Sequence, residues 1–272
     1  MSKIEAALRI AKDAQSGSPE ERLRRLEKKR KFDQIRNRAT LPAVVRLEPF
    51  VRYDLDQGVL AKNRIINDDY LDDALTSYKM LRTRVLHKMN ANEWQTLAIT
   101  SPRDGAGKSL TAINLAITMA SQSARDVYLL DLDLRNPNIS RQLGLPGFEL
   151  DLGEHLAGRT PISQVCCDVG VDHLLLLPSS QRQPNSSELI ASQTLQNLLR
   201  TILATATNPI IVIDLPAILS ADDALAISPW VDGFLMVVSE SGTGREDLTR
   251  SLEMLRESNL VGVVLNKSSE RK

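Results

Sequence analysis

The residues best suited to chemistry lie in the run Ser101-Pro102-Arg103-Asp104-Gly105-Ala106-Gly107-Lys108-Ser109-Leu110. Glycine at 105 and 107 lets the backbone turn tightly and aim several N–H groups at one point. A helix opening at Lys108 adds the positive end of its dipole. Such a turn binds phosphate. Lys108 would neutralise the outer phosphates of a polyphosphate, and the Ser109 hydroxyl would ligate Mg²⁺. Pro102 stands where the full pattern has glycine, yet Gly-x-Gly-Lys-Ser between a strand and a helix is hard to explain as a plain structural turn. The candidate nucleotide contacts are Asp104, Gly105, Ala106, Gly107, Lys108, Ser109 and Leu110.

Two further runs end in acids. In Tyr128-Leu129-Leu130-Asp131-Leu132-Asp133-Leu134-Arg135-Asn136-Pro137, an apolar strand finishes with two carboxylates two residues apart. That spacing points both to one side, at the edge of a parallel sheet where ligands bind, and two acids there want a cation. Taken alone, solvated turn carboxylates explain the pair equally well; the glycine-rich turn one strand earlier favours the cation. In Ile210-Ile211-Val212-Ile213-Asp214-Leu215-Pro216 a single acid closes another apolar strand, suited to holding a magnesium-bound water or the serine that ligates the metal. The candidate metal set is Ser109, Asp131 and Asp214. Hydride chemistry would need Gly-x-Gly-x-x-Gly and a ribose-binding acid, so the turn suits a triphosphate instead.

These residues need a scaffold that brings strand ends together. Strands are expected at Thr96–Thr100, Val127–Leu130, Leu174–Leu177, Ile210–Ile213, Phe234–Val238 and Val261–Leu265, and helices at Lys108–Gln122, Glu188–Ala206, Asp222–Ile227 and Arg245–Glu257. Nearly continuous apolar strands alternating with helices predict an α/β fold, a mainly parallel sheet covered on both faces. Ahead of it, apolar residues recurring from Asp69 to Met89 predict an amphipathic helix of about five turns. Residues 2–15 read as a short amphipathic helix, and Ser18-Pro19-Glu20-Glu21 is a helix start leading to about Asn37. Leu41–Asn67, with Pro42 and Pro49, reads as a linker packing loosely on the main domain. The expected division is a basic helical extension and linker over 1–68 and a catalytic domain over 69–272.

Composition narrows the classes. Of 272 residues 42% are hydrophobic and 25% charged, which excludes a chain disordered throughout. No apolar run approaches the roughly 18 residues of a membrane span, and the amino terminus lacks a secretory signal, so a cytoplasmic protein is expected. Lys+Arg and Asp+Glu both total 34, but residues 1–50 hold 13 basic and 7 acidic side chains. A basic arm on a mildly acidic body is expected, with no nucleic-acid partner. Cys166 and Cys167 are adjacent, suiting neither a structural disulfide nor a zinc site. His87, His155 and His173 are scattered, and Trp94 and Trp230 flank strands as packing residues.

With Gly105-Ala106-Gly107-Lys108-Ser109, Leu130-Asp131-Leu132-Asp133-Leu134-Arg135-Asn136-Pro137, Ile213-Asp214-Leu215-Pro216 followed by Asp223-Ala224, and Leu265-Asn266-Lys267 in that order, the chain resembles the bacterial tyrosine kinases of capsule and exopolysaccharide systems. These are of the CapB/CpsD type, nearest the exosortase-associated branch, within the MinD/ParA-like phosphate-loop (P-loop) ATPases. The likeness runs from about Asp69 to Lys267 and more weakly over Met1–Leu8. It implies a P-loop NTPase fold and an ATP site in which Lys108 and Ser109 hold phosphate and Mg²⁺. It further implies that Asp131 and Asp133 activate the attacking hydroxyl or position metal, that Asp214 supports the metal, and that Asn266 lies near adenine. The catalytic set so implied is Lys108, Asp131, Asp133 and Asp214. It also implies a partner, a membrane-embedded polysaccharide chain-length determinant (Wzz-like) that switches the kinase on, and with it a peripheral position at the inner membrane and a homo-oligomer.

The sequence departs from that family in three places. Such kinases carry a tyrosine-rich tail, whereas the last tyrosine here is Tyr128 and the sequence closes Asn266-Lys267-Ser268-Ser269-Glu270-Arg271-Lys272. The Glu-x-x-Arg-x-x-Arg of ring assembly is Thr76, Lys79 and Arg82, which predicts weakened or altered rings. The basic residue five before the loop lysine is Arg103 rather than lysine. Two other readings follow: a MinD/ParA-like positioning ATPase, and a nucleotide-sensing adaptor without turnover. Among the tyrosines, Tyr78 falls on an apolar stripe and Tyr128 in a strand, leaving Tyr53 and Tyr70 as acceptor candidates.

Overall fold

Apolar side chains on both faces of a strand force burial on both sides, and six runs of the sequence meet that condition. The computed structural model describes residues 47–49, 51–66, 73–121 and 125–268. The expected helices over 2–15 and 18–37, Tyr70, and residues 269–272 lie outside that set.

The strands are β1 (Val51–Arg52), β2 (Thr96–Thr100), β3 (Val127–Asp131), β4 (Cys167–Asp168), β5 (Leu174–Leu177), β6 (Ile210–Asp214), β7 (Gly233–Ser239) and β8 (Leu260–Asn266). They form one sheet in the order β1-β4-β5-β3-β6-β2-β7-β8, parallel throughout except for the β4–β5 pair. The helices are α1 (Gln57–Lys62), α2 (Asp73–Ala91), α3 (Lys108–Ala120), α4 (Ile139–Gln142), α5 (Leu152–Leu156), α6 (Ser186–Ala191), α7 (Gln193–Thr205), α8 (Asp223–Ile227) and α9 (Arg245–Met254). From β2 the chain crosses to β3, leaving a gap that β6 later fills, and then returns past β2 to β7. The carboxyl ends of β2, β3 and β6 therefore lie side by side, where ligands of open α/β sheets bind.

The core divides between the two sheet faces. One layer gathers Leu130, Ile211, Ile213 and Phe234 with Leu195, Leu199 and Ile202 of α7. The other gathers Leu97, Ile99, Leu129 and Val212 with α3 and with Val85 and Met89 of α2. Helix α3 is buried nearly all round, which explains its apolar composition. Burying Met89 and Val85 contributes roughly 1.5–3 kcal/mol each and pins the carboxyl-terminal half of α2 to the domain; its other half is largely exposed.

Several expectations need correction. The described part of the Leu41–Asn67 stretch is not loosely packed: Leu60 and Ile65 are buried, and the buried Asn114 of α3 donates to the Arg64 carbonyl at 3.0 Å and accepts from the Ile66 N–H at 2.9 Å. Asp56 caps α1 by accepting from Gly58 N–H and Val59 N–H. The helix expected over Glu188–Ala206 is two, because Ser192 adopts extended backbone and caps α7 through the Leu195 N–H. Strands β1 and β4, two residues each, are too short to carry a periodicity and add to the six expected strands. The other strands stand where the sequence placed them, with β3 and β6 reaching one residue further to include Asp131 and Asp214.

Candidate active site

The turn between β2 and α3 is shaped by its glycines. Gly105 has φ of 79° and Gly107 a φ of 93°, left-handed values that favour glycine. A Cβ on Gly107 would stand 2.2 Å from Nδ2 of Asn266, which donates to the Ala106 carbonyl at 2.9 Å. Asn266, at the end of β8, thus holds the loop from the far side. Thr111 ties its N–H and hydroxyl back to the Gly107 carbonyl, locking the first turn of α3. Asp104 and Gly105 sit on the exposed crest, Ala106, Lys108 and Ser109 are buried, and Gly107 and Leu110 are intermediate.

The acids meet the loop as the alternation required. Asp131 and Asp214 are register partners on β3 and β6, and Lys108 Nζ lies 2.5 Å from Asp133 Oδ2. Asp131, Asp133, Asp214 and Lys108 are all at most 9% exposed. Burial works against the charge of Lys108, but Asp214, Asp133 and Asp131 outweigh it and hold its pKa above the ordinary value. Burial also pushes Asp214 up to about 6, with Lys108 and the nearby Ser109 hydroxyl pulling down and Asp133 pushing up. Asp131 is raised well above the usual carboxylate range by burial and by Asp214, against hydrogen bonds from the Ile139 and Asn138 amides.

The carboxylates differ in how they are satisfied. Asp131 Oδ2 accepts from the N–H groups of Asn138 and Ile139, and Oδ1 from that of Asp133 at 3.3 Å, so it shapes the turn after β3 and keeps a lone pair on Oδ1. Both oxygens of Asp214 are buried without a hydrogen-bond partner. A buried carboxylate left in that state is costly, and a divalent ion would relieve it. Among the described residues no group of three or more His, Cys, Asp and Glu could hold a metal unaided. A metal here would draw on Ser109, Asp214, the free lone pair of Asp131 and phosphate oxygens, a donor set of hard oxygens that fits Mg²⁺.

Other candidates separate from this cluster. Tyr128 is buried, and Tyr53 is partly buried with its ring edge-on to Phe148 at 5.7 Å. Burial pushes the Cys166 and Cys167 thiols up to about 12 and 11, so both are inert. His155 Nδ1 meets the Thr160 carbonyl and His173 leans on Asp126, both away from the loop. Of the three ring-assembly positions, Arg82 donates to the Thr118 carbonyl at 3.0 Å within the chain, while Thr76 and Lys79 are exposed. Sequence reasoning missed two ion pairs near the site. Arg103 grips Asp247 of α9 at 2.6 and 2.9 Å, and Arg135 meets Asp223 at 3.2 Å. Only the Asp223-Ala224 pair hinted at the second.

The ParA family model, described as NUBPL iron-transfer P-loop NTPase, matches residues 93–271. The tyrosine-protein kinase CpsD of Streptococcus agalactiae serotype Ia is 30% identical over 195 residues, 71% of this chain and 82% of that one. Among solved structures, the kinase domain of the Escherichia coli tyrosine kinase ETK superposes with a TM-score of 0.69 at 23% identity, over 83% of this chain and 91% of that one. The septum site-determining protein MinD of Pyrococcus horikoshii, complexed with Mg-ADP, reaches 0.54 at 20% identity, over 64% and 72%. At these identities the two structures speak for the fold alone.

Proposed function

Because the chain belongs to the bacterial tyrosine kinases within the ParA-type P-loop NTPases, we propose that it transfers the γ-phosphoryl group of ATP to protein tyrosine and so regulates exopolysaccharide or capsule assembly. The observation that carries this is the meeting of Lys108 with Asp131, Asp133 and Asp214 at the loop, Asp214 keeping two buried oxygens free. Bound Mg²⁺ supplies charge neutralisation on the phosphates, and Ser109, Asp214 and the free lone pair of Asp131 are the groups proposed to hold it.

The chain's own residues divide the remaining work. Loop amides and Lys108 bind and orient the outer phosphates, and Lys108 turns from Asp133 toward them. Asp133, released from that pair, accepts the proton of the attacking phenol. Asn266 fixes the loop, and its place at the mouth supports the adenine contact implied by the resemblance. Transfer of this kind is mostly positioning and charge stabilisation, which suits a site built from fixed strand ends.

Two wider elements complete the proposal. The basic extension before the domain recruits the kinase to a membrane-embedded chain-length determinant. The exposed half of α2 mediates self-association. Among the described residues no helix is long and apolar enough to cross a membrane. The positioning-ATPase alternative has weaker support, since the relative that is 30% identical over 82% of its length is a tyrosine-protein kinase.

Incubating the purified full chain with labelled ATP and Mg²⁺, followed by mass spectrometry of every tyrosine, tests the reading. Label on tyrosine, in this chain or in an added activator, supports it. Release of inorganic phosphate alone supports the positioning ATPase, and nucleotide binding without turnover supports an adaptor.

A further inference from the structure

The turn between β3 and α4 carries more than the site acids. Asn136 donates its backbone N–H to Asp133 Oδ1 at 3.1 Å, and its side-chain oxygen accepts from Arg182 Nη2 at 3.3 Å. Asn138 donates its N–H to Asp131 Oδ2, and its side-chain oxygen accepts from Arg141 Nε at 2.9 Å. Two of the three site carboxylates, Asp133 and Asp131, are therefore each linked through one asparagine to an arginine at the surface. Arg135 springs from the same turn. All three arginines are exposed; Arg135 and Arg141, six residues apart, both follow β3, and Arg182, from the segment after β5, is brought to the same turn through Asn136.

Among the described residues, one of these charges is paired and two are not. Arg135 Nε donates to Ser186 Oγ at 2.9 Å and to Asp223 Oδ2, while Nη2 reaches Asp222 at 3.4 Å. Asp223 is fully buried with its other oxygen unpartnered, so it serves as a fixed anchor that sets the guanidinium. Arg141 and Arg182 make no ion pair among the described residues. Nearby acids are already engaged: Glu154 pairs with Arg159, and Asp151 accepts from the Ser180, Gln181 and Glu154 amides. Lys108 and the loop are the groups proposed to meet the nucleotide phosphates, which leaves Arg141 and Arg182 available to a second reactant.

We propose that Arg135, Arg141 and Arg182 form an acceptor rim that selects a tyrosine flanked by acidic residues. The inference rests on the kinase reading, which supplies the tyrosine. Because the reaction brings a phenol to Asp133, the anionic group that meets these arginines belongs to the polypeptide bearing that phenol. Rim charges of this kind add modest, salt-sensitive affinity and much selectivity.

The test uses the full chain, Mg-ADP and two fluorescein-labelled peptides, one with tyrosine between runs of glutamate and one with glutamine in their place, titrated by anisotropy. The acidic peptide should bind roughly tenfold more tightly, with the gap closing as NaCl rises. Arg141→Gln/Arg182→Gln, both at exposed positions, should erase most of the preference, while calorimetric Mg-ATP affinity stays within about twofold. Asp223→Asn should weaken the preference through Arg135, provided circular dichroism shows the fold retained. Equal affinity for both peptides, or an undiminished preference in the double variant, overturns the proposal. So does full displacement of the acidic peptide by phosphatidylglycerol vesicles, which would assign the rim to a membrane. Failure of the underlying reading registers separately, as wild-type protein that shows no Mg-ATP heat.

Discussion

Asn266 Nδ2 stands 2.2 Å from where a Cβ on Gly107 would lie, and the same amide donates to the Ala106 carbonyl. The last strand thus holds the phosphate loop by a contact that leaves space for glycine alone. Gly107→Ala meets both this contact and a left-handed φ, so it should destabilise the chain by about 1–3 kcal/mol in urea unfolding and remove nucleotide binding. Adding Asn266→Ala should return part of the stability, by removing the contact while the backbone strain remains. Full recovery in the double variant would place the whole cost on Asn266.

Lys108 pairs with Asp133 and feels the charges of Asp214 and Asp131. Lys108→Ala should lower phosphoryl transfer or ATP hydrolysis by at least about 10²-fold, the usual cost of removing a charge stabiliser at a reacting phosphate. It should also destabilise the chain by a few kcal/mol at pH 8, because Asp133 loses its buried partner. Asp133→Asn in the same chain should restore much of that stability and none of the turnover, read from unfolding midpoints and steady-state rates.

Asp214 lends the nucleotide-free chain a pH signature. Its pKa of about 6 in the fold lies above the ordinary aspartate value of 3.8. Between those values the folded state binds a proton that the unfolded state has released, so this group's contribution is greatest below 3.8 and is lost as pH rises through 6. The loss is about 3 kcal/mol. Asp214→Asn should therefore be more stable than wild type at pH 8 and close to it at pH 4. Comparing the two proteins cancels the opposite contributions of Glu154 and Asp247, whose carboxyls are held low by Arg159 and Arg103. A variant less stable at pH 8 would show that Asp214 is satisfied in the free chain.

Removing residues 1–40 should weaken recruitment to a membrane partner and leave Mg-ATP affinity unchanged. The cut spares residues 51–66, whose Leu60 and Ile65 are buried. Measured by co-sedimentation and calorimetry, loss of both properties would mean that the extension completes the catalytic domain.

Much of this site was legible before any coordinates, because its signals are local. The loop and each strand-end acid carry their own type and spacing, and apolar runs locate the strands that hold them. What escaped is non-local. Asn114 satisfies Arg64 and Ile66 from about fifty residues away, Arg103 finds Asp247 across 144 positions, and Asn266 reaches Ala106 across 160. The break at Ser192 escaped for another reason: a serine inside a helical pattern becomes a cap only when the next helix turns onto the sheet. Strands as short as β1 and β4 exist only through their pairing.

Calorimetric titration of Mg-ATP into the purified full chain tests the central claim most directly. A saturable heat of one nucleotide per chain, absent in Lys108→Ala and lost on removal of Mg²⁺, is the expected result. No heat of association in the wild-type protein would contradict the account.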